Sequence, residues 1–258
     1  MIASLLVLVL GADPQGTIVA VGGGTTTTAI TKRTLELAGG AAARVIVIPQ
    51  ASERSDGKAS AAMWRELGVR DVSILELSDA VAAVKAVESA DLIWMPGGDQ
   101  NRLMKVLLPT GVPEAIRKRF HAGAVVGGTS AGAAVLSQIM ITGEAELDRI
   151  RRGATQTAEG LALWPRAIVD QHFVKRQRFN RLLSAVLDRP ELVGFGVDES
   201  TAAIVRGSKV DVVGSGQVLV IDARKATTAP GKSGDLSAAI GIYLHVLTSG
   251  MTFDLGRP

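Results

Sequence analysis

Short apolar runs rich in Val and Ile alternate, through the first half of the chain, with longer alanine-rich segments of amphipathic character. A brief apolar run bounded by turn residues reads as a buried strand, and a longer segment with a 3.6-residue apolar period reads as a helix. The pattern predicts strands at 17–21, 45–48, 72–77, 92–95 and 124–126, separated by helices at 26–37, 58–67, 80–87 and 113–121. Strand–helix alternation of this kind implies parallel strands joined by right-handed crossovers, with helices on both faces. The expected architecture is a doubly wound, mostly parallel α/β sandwich. After residue 168 the rhythm changes to one helix at 175–187 and closely spaced strands at 202–205, 210–213 and 218–221, an antiparallel extension near the C-terminus. Gly207-Ser208 reads as a hairpin turn, and 226–234 as a surface loop.

Composition narrows the function classes. A chain of 258 residues that is 47% hydrophobic can bury a large core, and no segment reaches the roughly 18 apolar residues a membrane-spanning helix needs. Without cysteine the protein holds no disulfide, thiolate metal site or cysteine nucleophile, and nothing in the sequence calls for a metal or cofactor. The small net charge of +3 and an aromatic content of 3% argue against a nucleic-acid surface. Ile2 to Leu10 is an apolar run ending in Gly11-Ala12, which resembles the end of a secretory signal, although no Lys or Arg precedes it. Residues 1–12 therefore read as the remnant of a signal, with export slightly favoured over cytoplasmic residence, and 13–258 as a single α/β domain.

The chemistry concentrates where the strand 124–126 ends. Gly128-Thr129-Ser130-Ala131-Gly132 is a G-x-S-x-G sequence at a strand-to-helix junction, where a serine takes a strained backbone and larger side chains at the flanking glycines would collide. The Ala131 amide and the following helix are placed to favour a developing oxyanion. A second glycine turn, Pro96-Gly97-Gly98-Asp99-Gln100, ends another strand on the same sheet edge, and amides around Gly98 and Asp99 are candidates for a second oxyanion donor. Ser130 needs a base, and the chain has three histidines. His121 reads as a helix C-terminal residue and His245 as part of a packed strand or helix. His172, in Asp170-Gln171-His172-Phe173, follows an apolar run at a strand end where polar side chains have no packing reason to cluster. An orienting acid comes from Asp198 or Glu199, which spacing alone does not separate. Gly22-Gly23-Gly24-Thr25 lacks the lysine and glycine spacing of nucleotide loops and reads as a tight turn.

These motifs, with the Arg176, Arg178 and Arg181 series, resemble those of the cyanophycinases, serine peptidases that share the fold of class I glutamine amidotransferases. The resemblance implies Ser130 as nucleophile, His172 as base and Glu199 as acid. It also implies Thr129, Gln100, Asp170, Gln171, Arg176, Arg178 and Arg181 around a substrate that is cyanophycin or a related β-aspartyl peptide. Cyanophycin is a polyaspartate backbone whose β-carboxyls each carry an arginine, and Arg178 and Arg181, three apart on the expected helix, suit its carboxylates. The charged stretch 144–156, with Asp148, Arg149, Arg151 and Arg152, has no counterpart in the resemblance and is expected to shape the pocket. A homodimer is compatible with the sequence. Rival readings are an α-aspartyl dipeptidase, an esterase with His245 as base, and a non-catalytic ligand-binding module.

Overall fold

The structure, a computed structural model, describes residues 16–146 and 148–256. The signal-like residues 1–12 lie outside the described residues. Parallel strands β1 (Thr17–Val21), β2 (Val45–Val47), β3 (Val72–Ile74), β4 (Leu92–Met95) and β5 (Val125–Thr129) take the spatial order β3-β2-β4-β5-β1. They alternate with helices α1 (Thr28–Leu37), α2 (Lys58–Glu66), α3 (Ala80–Ser89), α4 (Gln100–Leu107) and α5 (Val112–His121). Period-two side-chain alternation loads both faces of the sheet with apolar groups. Val19, Val21, Val47 and Trp94 pack beneath Ile30 of α1 and Trp64 of α2. Ile18, Ile46, Ile93 and Val126 face the other way, onto Val87, Leu103 and Ile116 of α3, α4 and α5.

Helix α4 was not anticipated from the sequence, yet its signal was present. The Asp99 side chain caps it by accepting from the amides of Asn101 and Arg102, and Leu103, Met104 and Leu107 form its buried stripe. After β5 comes a single helical turn, α6 (Ala131–Ala134), then the antiparallel ribbon β6 (Ile139–Ala145) and β7 (Thr155–Glu159), also not anticipated.

Beyond the ribbon lie β8 (Ala167–Gln171), α7 (Phe179–Asp188), β9 (Val193–Val197), β10 (Thr201–Arg206), β11 (Lys209–Gly214) and β12 (Val218–Asp222). The chain ends with β13 (Thr227–Thr228), β14 (Ala239–Ile240), β15 (Tyr243–Leu247) and β16 (Thr252–Asp254). Strands β10, β11 and β16 extend the large sheet from β1 in antiparallel fashion, and Arg206 pairs with Lys209 across the expected Gly207-Ser208 turn. A second sheet, in the order β15-β12-β9-β8, packs its inner face into the same core through Val169, Phe195 and Val220, while α7 covers its outer face. The expected helix 175–187 begins only at Phe179, because Gln177 stands at φ 53° and Arg178 N–H turns back to Phe173 O. Among the described residues no helix is long and apolar enough to cross a membrane.

Candidate active site

Parallel strands deliver their C-terminal ends to one sheet edge, and register fixes which ends are neighbours: Met95 lies opposite Gly128, and Val21 opposite Thr129. Ser130 follows at φ 54° and ψ −113°, a strained conformation of the kind that collects at functional sites. The flanking glycines are sterically obligatory. A Cβ on Gly132 would stand 1.9 Å from Met95 O, and one on Gly128 would stand 2.5 Å from it.

The second sheet supplies the partners. His172 and Glu199 follow the parallel neighbours β8 and β9, so their loops emerge side by side. Ser130 Oγ lies 2.9 Å from His172 Nε2, and His172 Nδ1 lies 2.6 Å from Glu199 Oε1. Hydrogen bonding from His172 holds the Glu199 carboxyl below the usual carboxylate range, and the charges of His172, Lys175 and Arg176 act in the same sense. Asp198, the other acid the sequence allowed, instead accepts from the Lys175 amide. His121 is exposed at the end of α5, which leads into the opposite end of β5, and His245 stacks on Phe253 with ring centroids 4.9 Å apart.

Several expected roles need correction. The Asp99 amide donates to Ala51 O at 2.8 Å and its carboxylate caps α4, so Asp99 is no oxyanion donor. Gly98, exposed at φ 151°, and Ala131 have amides without a protein partner among the described residues. With α6 only four residues long, these local amides carry the positive potential, and a helix dipole adds little. Gln100 is buried and spends its amide on Ile141 O at 2.8 Å. Arg181, only 2% exposed, grips the buried Asp170 carboxylate at 2.7 and 2.5 Å and also donates to Gly143 O. A guanidinium so enclosed and so fully engaged is a structural tie between β8, α7 and the ribbon. Arg178 precedes α7 and stays partly exposed, with Nη1 on Gln171 O and Gln171 Oε1. Burial, then the charge of Arg181, pushes its pKa down to about 10, which still leaves it cationic at neutral pH. Exposed Arg176 lies in the turn after His172, within electrostatic range of Glu199. Half-buried Thr129 keeps a sheltered hydroxyl with no partner among the described residues.

Among the described residues of the 144–156 stretch are the end of β6 and the start of β7. The adjoining Ile141 and Gly143 carbonyls meet Gln100 and Arg181, while Arg151 and Arg152 dock on the 229–235 loop, so the ribbon reaches the site through its backbone. A cavity of about 330 Å³ lined by Ile18, Phe120 and Trp164 lies away from Ser130, which is itself part-buried.

Fold and site together define a hydrolase of the doubly wound α/β class. The chain belongs to peptidase family S51, whose model matches residues 18–213, and it is therefore a peptidase. It is 37% identical over 233 residues to a cyanophycinase from Geminocystis herdmanii, covering 86% of each chain. A cyanophycinase from Synechococcus elongatus is 36% identical over 230 residues, which cover 84% of this chain and 71% of that protein. A peptidase E from Actinobacillus pleuropneumoniae is more distant, at 25% identity over 186 residues. In fold, the chain is similar to a peptidase from an acI-B1 actinobacterium, with a TM-score of 0.67, 24% identity and coverage of 94% and 98% of the two chains.

Proposed function

We propose that the protein is a serine exopeptidase that degrades cyanophycin or closely related β-aspartyl peptides through an acyl-enzyme on Ser130. The observation that carries this reading is the unbroken row Ser130 Oγ, His172 Nε2, His172 Nδ1, Glu199 Oε1, with links of 2.9 and 2.6 Å. Glu199 accepts a hydrogen bond from Nδ1–H and so selects the tautomer whose Nε2 lone pair faces the serine. As Oγ attacks the scissile carbonyl, Nε2 takes its proton, and the Gly98 and Ala131 amides receive the oxyanion. The same proton then passes to the leaving amine. Water, deprotonated by His172, clears the ester and restores the serine.

Similarity to cyanophycinases across most of the chain supports the substrate class. Part-exposed Arg178 offers a charged fork to substrate carboxylates. Incubation with insoluble cyanophycin should release soluble β-aspartyl-arginine. Turnover of free Asp-X dipeptides with the polymer left intact would instead favour the α-aspartyl dipeptidase reading, which the weaker peptidase E similarity represents. Failure of a fluorophosphonate to label Ser130 would favour a binding module.

A further inference from the structure

The turn that ends β1 is in contact with every member of the row, a property its sequence reading as a mere tight turn missed. Three consecutive carbonyls accept from the three site loops: Ser130 N–H donates to Val21 O at 3.0 Å, His172 N–H to Gly22 O at 2.6 Å, and Ser200 N–H to Gly23 O at 2.9 Å. The turn thereby sets the large sheet, which carries the serine, in register with the second sheet, which carries the base and acid. Gly23 also lies directly against the imidazole. A Cβ there would stand 2.2, 2.4 and 2.8 Å from Cε1, Nε2 and Nδ1 of His172.

We infer that Gly23 is a positioning residue of the proposed reaction, its missing side chain holding open the space in which the His172 ring meets both Ser130 and Glu199. The inference rests on the assignment of His172 as base. Its neighbours differ in kind. At Gly22 an added methyl meets the Val197 and Asp198 carbonyls at 2.3 and 2.2 Å, a backbone collision that threatens the fold itself. At Gly23 the obstacle is a side chain that can swing away, so the fold can survive while the row is broken. At Gly24 the contact is milder, 3.0 Å from Glu199 Cβ.

Backbone strain has a matched control. Gly39 stands at φ 100° against 99° for Gly23, but nothing lies within 4 Å of its would-be Cβ. Displacing a reacting group by about 1 Å costs on the order of 100-fold in rate. Gly23→Ala should therefore lose about 100-fold or more in kcat and in fluorophosphonate labelling of Ser130, with KM within about threefold of wild type. Gly39→Ala should keep wild-type kcat and labelling while losing a similar amount of thermal stability. Gly24→Ala should fall between them. A Gly23→Ala enzyme as fast as Gly39→Ala, or one changed only in KM, overturns the inference. If Gly23→Ala does not fold, Gly24→Ala decides: slower labelling than Gly39→Ala supports the inference, and parity overturns it. Full activity in His172→Ala would sink the assignment of the base. An inactive His172→Ala beside a fully active Gly23→Ala would sink this inference alone.

Discussion

In the proposed reaction Glu199 acts as an anion, so its charge state should be visible in the pH dependence of turnover. The His172 hydrogen bond lowers its pKa from the ordinary 4.5, which means the carboxylate persists until the pH has fallen below that value. Wild type and Glu199→Gln should differ by about 10⁴-fold in kcat near neutrality, the scale seen when an orienting carboxylate becomes an amide. Loss of the Glu199 charge should erode that advantage only below pH 4.5. A ratio near one at neutral pH would contradict the role given to Glu199. The histidines allow a second comparison. His172→Ala should lose about four orders of magnitude in kcat, whereas His245→Ala should stay within about threefold of wild type, since its ring packs on Phe253. A dominant effect at His245 would revive the esterase alternative. Residue types and their order sufficed to single out Ser130 and His172 as candidates, and the structure brings them to within 2.9 Å. The choice of Glu199 over Asp198 depended on resemblance, because two adjacent carboxylates at a strand end differ only in where the turn aims them.

At the level of elements, the segment from β8 into α7 shows how a charge pattern can mislead. Lys175, Arg176, Arg178 and Arg181 look like one helical face, but Gln177 at φ 53° interrupts the helix and sends the arginines to different tasks. Arg181 turns inward and ties Asp170, the ribbon carbonyl of Gly143 and, through its own carbonyl, the Thr155 hydroxyl. Removing one partner of a buried ion pair leaves an uncompensated charge, at a cost of about 3–5 kcal/mol. Arg181→Leu should therefore lower unfolding free energy by that amount in urea titrations, and a loss below about 1 kcal/mol would show that the pair is not the tie described here. Such a role was illegible in sequence, since burial of an arginine depends on a β6–β7 ribbon that had not been foreseen. Helix α4, by contrast, could have been read from Asp99 as cap and the Leu103, Met104, Leu107 spacing.

For the whole molecule, alternation of apolar runs and amphipathic segments was enough to specify the parallel sheet, four of its five intervening helices and the antiparallel extension. It could not reveal that β8, β9, β12 and β15 separate into their own sheet, because local periodicity carries no record of which distant strands pair. That separation places Ser130 on one sheet and His172 with Glu199 on the other. The proposed activity is thus a property of how the two sheets dock. The direct measurement is release of soluble β-aspartyl-arginine from insoluble cyanophycin by the wild-type chain and by Ser130→Ala, with both shown to be equally folded. The serine enzyme should clear the polymer, and the alanine variant should be slower by about four orders of magnitude or more. Dipeptide release by Ser130→Ala at a rate near wild type, or no release by either chain, would contradict the account.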